Sequence, residues 1–165
     1  MPVIDTHQNV AAFLDTLAFS EGTATHPLTV NRGYDVIVTG TDGRPEIFTD
    51  YGDHPFAQGR PAKPFNRRGD KSTASGRYQQ LYRYWPHYRD LLALPDFSPL
   101  SQDRLAIQLI RERGALEDLH QGRIESAIKR CCNIWASLPG AGYGQREHSL
   151  DKLVTVWRSA GGART

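Results

Sequence analysis

Apolar residues Val10, Phe13, Leu14 and Leu17 recur at i, i+3, i+4 and i+7, the spacing of one face of an amphipathic helix. With Thr6 as N-cap and Gly22 as a natural stop, this predicts a helix from about residue 7 to Glu21. The period then changes. Tyr34 to Thr39 and Glu46 to Thr49 are rich in β-branched and aromatic residues, and the turn sequence Thr41-Asp42-Gly43 between them predicts a small antiparallel sheet. Gly52 to Ser75, with Pro55, Pro61 and Pro64, reads as a loop too long to be an idle connector. Beyond it the pattern is helical. A short helix is predicted near Ser75 and another near Trp85, with Pro86 in its first turn, running through Leu94. A third is capped by Ser98, opens at Pro99, buries Leu105, Ala106, Leu109 and Ile110, and ends near Gly114. Ile124, Ala127, Ile128, Cys131 and Trp135 mark the next, and Leu150, Leu153, Val154 and Trp157 the last, stopped by Gly161-Gly162. Trp135 and Trp157 continue apolar stripes and are expected in the core. The class is α+β: an N-terminal helix, a small antiparallel β-sheet, then a helical lobe.

A chain of 165 residues with three Trp, seven Tyr and six Phe has enough apolar surface for one domain without disulfide or metal staples. No apolar run approaches the roughly 18 residues of a membrane span. No basic segment followed by an apolar one opens the chain, so synthesis in the cytoplasm is expected. Cys131 and Cys132 are neighbours that cannot bridge on a helix without distortion, which predicts two reduced thiols. None of the histidines at 7, 26, 54, 87, 120 and 148 stands at ligand spacing, so no metal and no cofactor is expected.

Charge changes the picture more than composition does. The net charge is +2, yet residues 1–59 hold two basic and eight acidic side chains, and residues 60–89 hold eight basic and one acidic. The basic stretch (Arg60, Lys63, Arg67, Arg68, Lys71, Arg77, Arg83, Arg89) expects an anion: a nucleic acid, a wall polymer or the chain's own acidic first third.

The candidate chemistry begins at Glu21. It lies four residues after Leu17 and seven after Leu14, on the apolar side of the helix, in the last turn where the helix dipole disfavours an anion. Burial and dipole both raise its pKa, and a carboxylic acid kept protonated near neutrality is a general acid of the kind glycoside cleavage requires. The competing interpretation is that the helix frays at Gly22 and Glu21 is solvated.

Phe13-Leu-Asp-Thr-Leu-Ala-Phe-Ser-Glu-Gly-Thr23, Gly76-Arg-Tyr-Gln79, Phe97-Ser-Pro99 and Asn133-Ile-Trp-Ala-Ser-Leu-Pro-Gly-Ala-Gly-Tyr-Gly-Gln145 stand in one order. In that order they resemble the endolysin family of bacteriophage lambda and its relatives, from about residue 9 to residue 162. The resemblance implies a lysozyme-like fold in a single domain, with a cleft between a β-sheet region at about 31–71 and a helical lobe at about 75–162. It also implies a lytic transglycosylase that cuts the β-1,4 bond between N-acetylmuramic acid and N-acetylglucosamine in bacterial peptidoglycan without water. In that reaction Glu21 is the catalytic residue, and Ser75, Tyr78, Gln79 and Tyr143 bind the sugar chain. Residues 52–71 and 138–148 would form lips over it. For Tyr78 and Gln79, spacing alone leaves a helix start with Tyr in the core equally open, and for Tyr143 a turn tyrosine.

A true hydrolase on the same fold would need a second carboxylate from Asp35, Asp50 or Asp53, each of which also reads as a turn or ion-pair residue. A nucleic-acid module would use the basic stretch with Phe65, Tyr78, Tyr82, Tyr84, Trp85 and Tyr88. The endolysin resemblance instead implies a monomer that binds no nucleic acid and does not insert stably in a membrane. It would accumulate in the host cytoplasm and reach the periplasm when a phage holin opens the inner membrane.

Overall fold

The computed structural model describes residues 1–142 and 147–164. Contacts group the chain into two compact units, Met1–Glu21 with Asp103–Thr165, and Gly22–Gln102. Residues 75–102, expected with the helical lobe, therefore group with the strands.

In the first unit the predicted stripe forms α1, Gln8–Ser20, with Val10, Phe13, Leu14 and Leu17 fully buried. The helix begins one residue later than a Thr6 cap would require: His7 is the N-cap, and its Nδ1 accepts the Asn9 N–H at 3.2 Å. The remaining helices are α3 (Pro99–Glu112, which runs across the division), α4 (Leu116–His120), α5 (Ile124–Cys131) and α6 (Leu150–Ser159). Helix α6 packs on α1, and α4 packs on both α1 and α5. Trp157 is buried in α6 and its indole N–H donates to the Asn9 carbonyl at 3.2 Å. The Asn9 side chain in turn exchanges hydrogen bonds of 2.9 and 2.8 Å with the Ala163 backbone, pinning the C-terminal segment to the start of α1. The sequence did not predict α4, because five residues between Gly114 and Gly122 show no periodicity. Buried Asp118 ties it to α5: Arg123 Nε at 2.8 Å, Ser126 Oγ at 2.6 Å and Arg130 Nε at 2.8 Å all donate to its carboxylate. Burial alone would raise that pKa, but these donors hold it below the usual value. Trp135 is buried too, beyond the end of α5.

In the second unit β1 (Val36–Ile37) pairs antiparallel with β2 (Glu46–Ile47), Val36 opposite Ile47, so the sheet is shorter than its β-rich sequence predicted. The helix predicted near Ser75 is absent. Ser75 instead forms bridges with Ile37 and Gln80, and the Val38 N–H donates to the Ala74 carbonyl at 2.9 Å, so the segment extends the sheet. It then turns sharply because Gly76 has φ +76°, and a Cβ there would lie 2.2 Å from Gln102 Oε1. The stretch predicted as a loop holds a second hairpin, β3 (Lys63–Pro64) with β4 (Lys71–Ser72). Its turn is built on Asn66, whose Oδ1 accepts the N–H groups of Arg68 at 3.0 Å and Asp70 at 3.1 Å. A 3-10 turn, Tyr82–Tyr84, leads into α2, Trp85–Leu91, with Pro86 in its first turn. That helix ends short of the predicted Leu94.

The core of this unit is aromatic. His54, 1% exposed, has Phe97, Tyr82, Phe56 and Trp85 rings at 4.7, 5.4, 5.9 and 6.4 Å. Its Nδ1 accepts the Phe56 N–H at 3.3 Å, so Nε2 carries the proton and donates to the Gln80 carbonyl at 3.1 Å. Burial pushes its pKa down to about 4, which keeps the ring neutral.

Candidate active site

Glu21 is the C-cap of α1, and its N–H donates to the Leu17 carbonyl at 2.9 Å. The helix does not fray before it. The side chain is half-buried, and Ser137 Oγ donates to Oε1 at 2.6 Å. Ser20 Oγ in turn donates to Ser137 Oγ at 2.7 Å. Desolvation by burial raises the Glu21 pKa to about 7, and the Ser137 hydrogen bond opposes that rise. At neutral pH the group therefore exists in both forms, as a proton donor that can also take a proton back.

The segment carrying Ser137 is fixed by its own contacts. The Trp135 N–H donates to the Cys131 carbonyl at 3.2 Å, and the fully buried Leu138 donates to Trp135 at 3.0 Å. The His148 N–H reaches the Ser137 carbonyl at 3.1 Å, while the His148 ring lies 5.2 Å from Phe19. Glu147 accepts the N–H groups of Gly140 at 3.0 Å and Gly142 at 2.9 Å. Neither Ser20 nor Ser137 stood out in the sequence. Both lie inside the motifs that carry the family resemblance, which is the signal that could have flagged them.

The other candidate residues lie in the second unit, together on one turn. Ser75 is fully buried and its Oγ donates to the Thr73 carbonyl at 3.2 Å. Tyr78 is also fully buried, its ring 6.3 Å from that of Tyr34, in the core position that spacing had left open. Gln79 is half-exposed at φ +49°, with its Nε2 donating to the Gly76 carbonyl at 3.0 Å. Of these three, Gln79 alone presents surface to a ligand. Tyr143 lies outside the described residues.

The carboxylates that a hydrolase would use are engaged elsewhere. Asp35, 1% exposed, accepts the Val30 N–H at 2.9 Å and the Thr29 hydroxyl. Asp50 closes a turn by accepting the Gly52 N–H at 2.8 Å. Asp53 accepts from Trp85 Nε1 at 2.6 Å, Arg89 at 3.1 Å and the His54 N–H at 2.8 Å. Burial would raise its pKa, but these partners hold it below the ordinary value. Both cysteines are free, and burial pushes the Cys131 thiol up to about 12, which leaves it unreactive. Among the described residues no group of three or more His, Cys, Asp or Glu side chains could hold a metal ion. No described helix is long and apolar enough to cross a membrane.

Comparison with known proteins adds to this geometry. A family model described as Endolysin matches residues 11–164. The endolysin of Escherichia phage P2 is 85% identical over 162 residues, 98% of this chain and 98% of that protein. The endolysin of Escherichia phage lambda is 52% identical over 161 residues, 97% of this chain and 96% of that one. Among solved structures, bacteriophage lambda lysozyme complexed with a chitohexasaccharide is similar with a TM-score of 0.88 and 51% identity, over 99% of this chain and 100% of that chain. A second structure of lysozyme from bacteriophage lambda matches with a TM-score of 0.83 and 49% identity, over the same shares.

Proposed function

Because this chain belongs to the endolysin family, whose members lyse the bacterial cell wall, we propose that it cleaves peptidoglycan as a lytic transglycosylase with Glu21 as its acid and base. The observation that carries this is the state of Glu21: a carboxyl with one hydroxyl partner, no ion pair among the described residues, and a pKa raised to about 7. As the acid, Glu21 protonates the oxygen of the β-1,4 bond between N-acetylmuramic acid and N-acetylglucosamine, and the bond to the anomeric carbon breaks. As the carboxylate so formed, it takes the proton from the muramoyl C6 hydroxyl while that oxygen bonds to the anomeric carbon. The product is a 1,6-anhydro ring, the proton is returned to Glu21, and no water is consumed. One carboxylate suffices, because the nucleophile comes from the substrate.

The engagement of Asp35, Asp50 and Asp53 in turns and ion pairs supports this over hydrolysis, where a second carboxylate must orient water. The likeness to a lysozyme solved with a chitohexasaccharide supports a sugar chain as the ligand. Gln79 would offer its amide to acetamido groups. In this proposal the protein works as a monomer. It gathers in the host cytoplasm and reaches the wall after a holin opens the inner membrane. The chemistry of the newly made ends tests the proposal, since transglycosylation leaves anhydro-muramoyl ends and hydrolysis leaves reducing ones.

A further inference from the structure

Glu21 has two carboxyl oxygens in unequal surroundings. Oε1 receives the Ser137 hydroxyl at 2.6 Å, and Oε2 receives no hydrogen bond among the described residues. We propose that Ser137, backed by Ser20, is the positioning residue for Glu21: it occupies Oε1, so that the proton given to and taken from the substrate resides on Oε2. This rests on Glu21 being the general acid and base, as proposed above.

The direction of the relay follows from the donors available. A carboxylate only accepts, so the Ser137 hydrogen points at Oε1, and the Ser137 oxygen is then free to accept from Ser20 at 2.7 Å. A proton on Oε1 would meet the Ser137 hydrogen head-on, and turning Ser137 around would require Ser20, at 2.7 Å, to reverse as well and accept where it now donates. With the proton on Oε2, the relay Ser20 to Ser137 to Glu21 stands unchanged in both protonation states of the acid and neither hydroxyl has to turn.

A neutral hydroxyl also suits a group that must change charge twice in one turnover. An Arg or Lys partner would hold Glu21 as a carboxylate and remove the acid, whereas no partner would hold the proton too firmly for release. Among the described residues of this unit, four titratable side chains have partners other than the carboxyl. The His148 ring lies tilted against Phe19, Lys152 sits 5.7 Å over the same ring, Glu147 caps Gly140 and Gly142, and Asp15 pairs with the N-terminal amine at 3.2 Å. Among the described residues, the Ser137 hydroxyl is thus the side chain hydrogen-bonded to the Glu21 carboxyl.

The experiment is a 13C NMR titration of the Glu21 carboxyl in the full chain, paired with the pH dependence of sacculus cleavage, for Ser137→Ala, Ser137→Thr and Ser20→Ala. Losing a donor to the carboxylate raises its pKa, so the alkaline limb, where activity falls as Glu21 deprotonates, moves to higher pH. Ser137→Ala is expected to shift both readouts up by about one pH unit, the order of a lost charge-assisted hydrogen bond, and to lower kcat by about tenfold. Ser137→Thr, which keeps the hydroxyl, restores the wild-type limb, and Ser20→Ala shifts it upward by less. A Glu21 that titrates in Ser137→Ala at the wild-type pH overturns the proposal, even if activity falls. If Ser137→Ala does not fold, Ser20→Ala decides: an upward shift supports the relay and an unmoved titration overturns it. Because the titration reads Glu21 itself, wholly reducing product ends would overturn transglycosylation and leave this result standing.

Discussion

A carboxyl at the C-terminal end of a helix, on its apolar side, works against both desolvation and the helix dipole. That conflict was visible at Glu21 from the spacing of Val10, Leu14 and Leu17 alone. The partner that moderates it was not, because Ser137 lies 116 residues away along the chain and no periodicity links the two. The conflict has a thermodynamic consequence. With its pKa raised from 4.5 to about 7, native Glu21 holds a proton between those values that the unfolded chain has lost. Stability therefore falls as pH rises through this window: the contribution is whole below about pH 4.5 and gone above about pH 7. Glu21→Gln removes the titration. Denaturant melts should show this variant gaining on wild type from pH 4 to pH 8, by at most about 3 kcal/mol given partial solvent screening. The same variant should still bind sacculi while its turnover falls by about 100- to 10,000-fold. A variant that lyses cells at a substantial rate, or gains no stability at alkaline pH, would remove Glu21 from its role.

The helices with long apolar stripes, α1, α3, α5 and α6, were legible because many positions repeat the same signal. The first hairpin was legible as well, from its β-branched segments and the turn between them, although only Val36–Ile37 and Glu46–Ile47 of those segments pair. The hairpin at β3 and β4 was hidden inside a stretch with Pro61, Pro64 and Gly69, and its turn depends on one Asn66 side chain. The turn after Ser75 was misread as a helix for a related reason. It is set by Gln102, whose amide accepts the Arg77 N–H at 2.9 Å and donates to the Tyr34 and Phe97 carbonyls at 3.0 and 2.9 Å. Gly76→Ala would push a methyl into that amide, and should lower stability by about 3 kcal/mol through steric and hydrogen-bond losses together. Gly43→Ala is the control: its φ is +65° with nothing within 4 Å, so only backbone strain of about 1 kcal/mol is expected. Equal losses in denaturant melts of the two variants would show that Gln102 does not set the turn.

Across the whole molecule, the charge division seen in the sequence overstated what the surface offers to an anion. Of the basic side chains in residues 60–89, Arg60 and Lys63 neutralise Glu46, Arg89 pairs with Asp53, and Arg77 is buried. Arg67, Arg68 and Lys71 remain exposed on the β3–β4 hairpin, with Arg68 at 3.8 Å from Asp70. Two of the rings that a nucleic-acid surface would use, Tyr78 and Trp85, lie in the core. Three clustered exposed cations can meet the carboxylates of a wall polymer. Replacing Arg67, Arg68 and Lys71 by Gln should weaken sacculus binding at low salt. The difference should vanish near 1 M salt, where the screening length is about 3 Å, and binding of neutral chitooligomers should hold throughout. Sacculus binding that is unaffected at low salt would show that the hairpin does not touch the wall. The reaction itself is read most directly by mass spectrometry of the muropeptides released from purified sacculi in 18O-labelled water. Transglycosylation through Glu21 predicts anhydro-muramoyl ends, each lighter than a reducing end by one water and free of label. Reducing ends carrying the heavy oxygen would contradict it and make the enzyme a hydrolase.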